Sequence, residues 1–148
     1  MSFLRQAYLL ENTRLSIALL ALRLVVGLAF ILHGFPKFQH AFSWLDGAGI
    51  PPLLQALAAF SEFGGGIALV LGLFTPLASL GILLTMSVAM GLVHFPAGHP
   101  FVSSEPHAPS YELALVYWVI ALVLLLTGPA KYSLDYFIVK YLVSSKME

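Results

Sequence analysis

The sequence predicts an all-α membrane protein, a four-helix transmembrane bundle followed by a C-terminal amphipathic interfacial helix, with both termini cytoplasmic. Three observations carry this. Hydrophobic residues make up 59% of the 148-residue chain and charged residues 9%, with a mean hydropathy of +0.92, well outside the range of ordinary soluble domains. Four apolar runs reach or approach the ~20 residues needed to cross a ~30 Å hydrocarbon core. These runs lack the period-two alternation of barrel staves, and lipid admits only helices and closed barrels as spanning structures.

The first span is placed at 15–34. Arg5 and Arg14 precede it as in a secretory signal, but the run is too long for a signal h-region and no A-x-A-like site closes it. It reads as a retained helix. The opening turns, with Phe3, Leu4 and Tyr8 among Arg5 and Glu11, form a candidate amphipathic segment. Spans two and three, at 53–74 and 76–95, are joined by little more than Thr75-Pro76, which forces an antiparallel hairpin. The fourth, at 110–127, is the shortest, with Ser110 as candidate N-cap and Gly128-Pro129 as its stop. The connection 35–52 carries Phe38, Phe42 and Trp44, which suit the headgroup belt. The connection 96–109 holds four prolines with His99, Glu105 and His107, and is expected to be an irregular exposed cap. Over 133–143, Leu134, Phe137, Ile138, Tyr141 and Leu142 fall at helical spacing, apart from Asp135, Lys140 and Ser144, as in a helix lying on a membrane surface. Arg5, Arg14, Lys131, Lys140 and Lys146 flank the two ends while the opposite loops offer Lys37, so the termini are assigned to the cytoplasm of a prokaryotic (inner) membrane and 1–148 to a single membrane domain.

Seven basic residues balance seven acidic ones, which gives no sign of nucleic-acid binding. The absence of cysteine removes disulfides, thiol nucleophiles, cysteine-ligated clusters and CxxC chemistry, so a redox role requires another carrier, and no metal centre is expected. What chemistry there is rests on ionised side chains at lipid depth. Arg23 lies near the middle of the first span and Glu62 near the middle of the second. A charge at the centre of a membrane helix costs roughly 2.5–3.5 kcal/mol on insertion scales, and Arg cannot shed its proton to escape that cost. Counting helix rise from the ends of the two runs puts Arg23 ~12 Å and Glu62 ~16 Å from the inner face, so a pairing of the two is expected. Separate bonding of each to backbone or water, and a pair that merely fixes helix register, remain open alternatives.

Gly27 and Gly34 follow Arg23 on nearly one face, and Gly64, Gly65, Gly66 and Gly72 surround Glu62. Small residues permit close helix approach. Gly65 and Gly66 would also leave room for a ligand beside the carboxylate. A second group gathers at the opposite boundary: His33 and Lys37 close helix one, His94 closes helix three and Glu112 opens helix four. Together they form a candidate proton-handling or ligand-binding mouth. Met86, Met90 and His94 follow at i, i+4 spacing and, with Tyr117 and Trp118, are further candidate lining.

Arg23-Leu24-Val25-Val26-Gly27 leading to His33-Gly34-Phe35-Pro36-Lys37-Phe38, then Glu62-Phe63-Gly64-Gly65-Gly66 followed by Gly72-Leu73-Phe74-Thr75-Pro76, and finally Gly128-Pro129-Ala130-Lys131-Tyr132-Ser133-Leu134-Asp135 resemble the signatures of the DoxX family. That resemblance implies a small four-helix membrane protein of a bacterium or archaeon. The family takes its name from a subunit of an archaeal thiosulfate:quinone oxidoreductase, and other members are associated with redox and oxidative-stress systems. The expectation is therefore a redox-associated membrane component that binds quinone or supports a partner oxidoreductase subunit. Three further readings stay open: solute or proton permeation, which would require a homo-oligomer; a non-catalytic scaffold; and a bis-histidine haem on His33 and His94, disfavoured by their depth at the boundary.

Overall fold

The computed structural model describes residues 12–144, so the proposed amphipathic turns at Phe3, Leu4 and Tyr8 lie outside the described residues, as do Arg5 and Lys146. Among the described residues there are five α-helices and no strand. They are α1 (Thr13–Gln39), α2 (Pro52–Leu71), α3 (Thr75–Val88), α4 (Glu112–Thr127) and α5 (Leu134–Ser144), with a π-helical stretch (Ala89–His94) continuing α3.

Asn12 caps α1 by accepting a hydrogen bond from Leu15 N at 3.2 Å. At 27 residues α1 is about 40 Å long, enough to cross the hydrocarbon core with a turn to spare at each end. It runs five residues past its expected end at Gly34, carrying Pro36 inside its last turns. A proline removes one ladder bond, a cost held down here because the helix stops within a turn. Lys37 therefore projects from a helix and not from a loop.

α2 opens on prolines, where a missing N–H costs nothing. It ends at Gly72, whose left-handed backbone (φ 65°) lets Gly72 N bond Leu69 O at 3.1 Å and Leu73 N bond Ala68 O at 2.9 Å, a Schellman closure. α3 begins three residues later. Its first N–H groups have no cap from their own neighbours; Asp135, from the start of α5, accepts from Phe74 N at 2.8 Å and Thr75 N at 2.9 Å.

The helices pack in chain order, α1 on α2, α2 on α3 and α3 on α4, with a lighter contact from α4 back to α1. The α1–α2 seam is the tightest. A Cβ at Gly27 would lie 2.8 Å from Gly66 O, one at Gly66 would lie 2.7 Å from Gly27 O, and one at Gly34 would collide with the backbone of Phe63. Backbone thus rests on backbone, the approach small residues permit in lipid. Leu19, Val26, Leu69, Ile82 and Leu124 fill the core between the helices.

The outward positions are apolar as well: Val25 is 69% exposed, Leu32 75%, Leu77 68% and Leu126 65%. Soluble monomers do not display apolar surface on that scale, so this is a membrane protein whose outer face contacts the bilayer. α1, α2 and the continuous stretch Thr75–His94 are long and apolar enough to span; α4, at 16 residues, is shorter.

Candidate functional site

The polar groups inside the helices form two separate centres, one at the end where α1 begins and α5 lies, the other at the end carrying the connections 40–51 and 95–111. Arg23 belongs to the first. Its guanidinium is fully buried, and Nη2 donates to the carbonyl of Tyr132. Gly72 lies directly against it, since a Cβ there would overlap Arg23 Nη1. Asp135 supplies the opposing charge by Coulombic interaction while its oxygens cap α3 and its own N–H bonds Gly72 O at 2.9 Å. Ser133 secures the entry to α5, its hydroxyl donating to Ala130 O at 2.6 Å and accepting from Tyr136 N at 3.1 Å. One arginine thus ties α1, the α2–α3 turn and the segment 128–135 into a packed knot.

Glu62 belongs to the second centre. Its partner is Lys37, whose Nζ lies 2.7 Å from both carboxylate oxygens. The expected pairing of Arg23 with Glu62 is therefore replaced by Lys37–Glu62 and Arg23–Tyr132. The physical reason is side-chain direction: residues on a helix lean toward its N-terminus. On α1 both Arg23 and Lys37 lean toward the helix start, so Arg23 reaches away from the middle of the helix and Lys37 reaches toward it. On antiparallel α2, Glu62 leans the opposite way, toward Lys37. The 14 residues from Arg23 to Lys37 also separate the two centres by about 21 Å along α1.

The Lys37–Glu62 pair is a buried acid, its side chain 3% exposed, joined to a lysine 29% exposed. Lys37 Nζ also sits 4.6 Å from the centroid of the Trp44 ring, a cation–π contact. Trp44 is held by Gln55, a residue that no sequence motif singles out. Trp44 Nε1 donates to Gln55 O at 2.9 Å, Leu45 N donates to Gln55 Oε1 at 2.8 Å, and Gln55 Nε2 donates to Ile50 O at 2.9 Å. This fixes the connection 40–51 beside the lysine. Phe38 packs on Phe60 and Phe63 at 5.1 and 4.9 Å, joining the α1–α2 seam.

A cavity of about 250 Å³ opens beside the ion pair, lined by His33, Lys37, Glu62 and His94 together with Ser110, Tyr117 and the apolar side chains of Phe30, Met86, Ala89, Leu113 and Ala114. The structure thus brings together six of the residues the sequence nominated: His33, Lys37, Glu62, His94, Met86 and Tyr117. The others fall elsewhere. Glu112 is exposed at the start of α4, and Gly66 is spent on the α1–α2 seam. Gly65 faces Ala78 and Ile82, bordering a separate apolar groove between α2 and α3. Met90 is buried in the π-helical stretch, and its place on the cavity wall is taken by Met86 and Ala89. Trp118 turns toward α3, donating from Nε1 to Ser87 Oγ at 2.9 Å, and its neighbour Tyr117 lines the cavity while packing on Phe30 at 4.9 Å. No group of three or more metal-binding side chains occurs among the described residues.

The DoxX family model matches residues 18–95, which contain Arg23, the α1–α2 glycine seam, the ion pair and His94. Among curated relatives, a Haemophilus influenzae "Uncharacterized protein" is 37% identical over 118 residues, 77% of this chain and 85% of that one. The Escherichia coli "Inner membrane protein YphA" is 35% identical, covering 80% of this chain and 89% of its own. The Bacillus subtilis "Putative oxidoreductase CatD" is 26% identical, covering 87% and 92%. No solved structure is significantly similar. With more than half its length matched by the family model and relatives aligned over most of both chains, the protein is a member of the DoxX family.

Proposed function

We propose that the protein is a quinone-binding component of a prokaryotic cytoplasmic membrane, a single four-span domain with cytoplasmic termini, which takes a quinone headgroup into the cavity beside Lys37 and Glu62 and supports a partner oxidoreductase. The observation that carries this reading is the cavity's composition: one ion pair and two imidazoles converge on a space otherwise walled by Phe30, Met86, Leu113 and Tyr117. Small-ligand sites combine an apolar wall with a few convergent polar groups in this way. At about 250 Å³ the space lies below the ~300–1,000 Å³ of drug-sized sites, so it suits a single substituted ring whose apolar tail stays in lipid.

In this reading Lys37 donates a hydrogen bond to a quinone carbonyl while Glu62 holds the ammonium in place, and the quinone is the two-electron carrier that a cysteine-free chain does not itself provide. A relative described as an oxidoreductase points the same way. Permeation finds less support, because below Phe30 the space between the helices is filled by Val26, Leu69, Ile82 and Leu124. Titration with ubiquinone and menaquinone headgroup analogues tests the proposal. Emission of Trp44, whose ring lies against Lys37, should be quenched saturably in the wild type and about tenfold less sensitively in a folded Glu62→Gln variant. Indifference to both analogue classes would refute it.

A further inference from the structure

His94 reaches the cavity because the helix changes its winding. Met86 lines the cavity from α3 and Ala89 from the start of the π-helical stretch, and so does His94, five residues after Ala89. In an α-helix five residues advance about 140° beyond a full turn, which would put Ala89 and His94 on different faces. Here the backbone closes i→i+5 bonds, Phe95 N to Met90 O at 2.9 Å and His99 N to His94 O at 3.1 Å. That wider turn brings both residues round to the same side. Short π segments of this kind occur frequently at functional sites.

The same winding places His94 Nδ1 3.1 Å from Nδ1 of His99, with the rings tilted at 70° and their centroids 5.2 Å apart. Two Nδ1 atoms at that distance share one proton: one ring donates and the other accepts. Both rings are partly exposed. His94 faces the cavity and His99 sits in the connection 95–111, so the pair runs from the cavity to the outside of the protein. With Nδ1 engaged, Nε2 is the nitrogen His94 offers to a cavity ligand, and Nε2 is the one His99 offers to water.

We infer that His94 and His99 form a two-imidazole proton relay between the cavity and the aqueous face at the loop end. It deepens the quinone reading, on which it rests for the source of the cavity proton, by naming how that proton leaves. The resting pair carries protons on His94 Nδ1 and His99 Nε2. A proton released by a cavity ligand binds His94 Nε2, the Nδ1 proton passes to His99 Nδ1, and the Nε2 proton of His99 goes to water. One proton enters and one leaves. Both rings end neutral, with the Nδ1–H now on His99, and a ring flip or a proton moving in the reverse direction resets them. The other titratable groups facing the cavity are the Lys37–Glu62 pair, His33 and Tyr117. Tyr111 packs on Phe95 at 5.3 Å, and Glu105, His107 and Glu112 are exposed nearby.

The test uses the full-length chain with ¹⁵N-labelled histidine in lipid nanodiscs, followed by NMR between about pH 5 and 8, where imidazoles titrate. The relay predicts that one proton is shared between His94 Nδ1 and His99 Nδ1, that both Nδ1–H arrangements are populated, and that His99→Gln leaves His94 in a single tautomer. The absence of any proton shared between the two Nδ1 atoms, or one ring holding the Nδ1 proton throughout as a simple loop staple would, overturns it. A second arm adds an acidic hydroxynaphthoquinone. Proton release on binding should slow at least tenfold in His99→Gln with affinity unchanged, and an unchanged rate would overturn the relay. Failure of the analogue to bind wild-type protein would count against the quinone reading alone, and the NMR arm would still decide the relay.

Discussion

The two ends of the molecule meet the same problem, a charge inside a membrane protein, and solve it in opposite ways. At the termini end Arg23 is sealed: fully buried, bonded to a backbone carbonyl, pressed on a glycine and faced by Asp135. At the loop end Lys37 and Glu62 satisfy each other and still border an open cavity. A sealed charge can only hold structure, whereas a paired charge with an open side can exchange its partner for a ligand. The residue that first attracts notice as a buried charge is thus the fastening, and it is the lysine at the end of α1 that borders the cavity on which the proposed function rests.

Substitutions at the two ends should separate accordingly. The largest effect is expected for Arg23→Ala, which leaves Tyr132 O without its donor and Asp135 without its opposing charge. Breaking one half of a buried charge arrangement costs about 3–5 kcal/mol, so the variant should lose most of its thermal stability, read as a large fall in unfolding temperature in micelles. Gly72→Ala attacks the same knot from the other side. Its Cβ overlaps the guanidinium, and its left-handed φ disfavours any side chain, so a loss of about 1–3 kcal/mol is expected in the same assay. Asp135→Asn weakens the cap on α3, costing about 1–2 kcal/mol. Glu62→Gln should leave stability within about 1 kcal/mol, because a neutral amide still accepts from Lys37, while quinone-analogue affinity falls about tenfold. Were Glu62→Gln as destabilising as Arg23→Ala, the contrast between the two ends would be lost.

Much of this was legible in the chain. The apolar runs at 15–34, 53–74, 76–95 and 110–127 each centre on a helix, though α2 stops at Leu71 and α4 starts at Glu112 behind Tyr111 and not behind Ser110, and the close α2–α3 hairpin follows from Thr75-Pro76. His33, Lys37, Glu62 and His94, which their sequence positions gather near the loop end, line one cavity. Partner choice was not legible from depth counting, since two charges at similar nominal heights diverge once each side chain leans toward its own helix start. That signal was present in the helix directions and would have paired Glu62 with Lys37. Two features were hidden for other reasons. The i, i+4 series Met86, Met90, His94 assumes α-helical winding, and the π-turn removes Met90 from the wall while bringing in Ala89. Gln55 and Asp135 act across 10 and about 60 residues respectively, and a polar side chain bonding distant backbone leaves no local pattern.

The most direct measurement is a pair of double-mutant cycles on unfolding free energy, Lys37→Met with Glu62→Gln and Arg23→Met with Glu62→Gln. Residues in one ion pair couple by about 0.5–3 kcal/mol, while distant sites add to within about 0.5 kcal/mol. The account predicts a coupling of at least 1 kcal/mol between Lys37 and Glu62 and none between Arg23 and Glu62. Strong coupling of Glu62 to Arg23, with Lys37 indifferent, would contradict it.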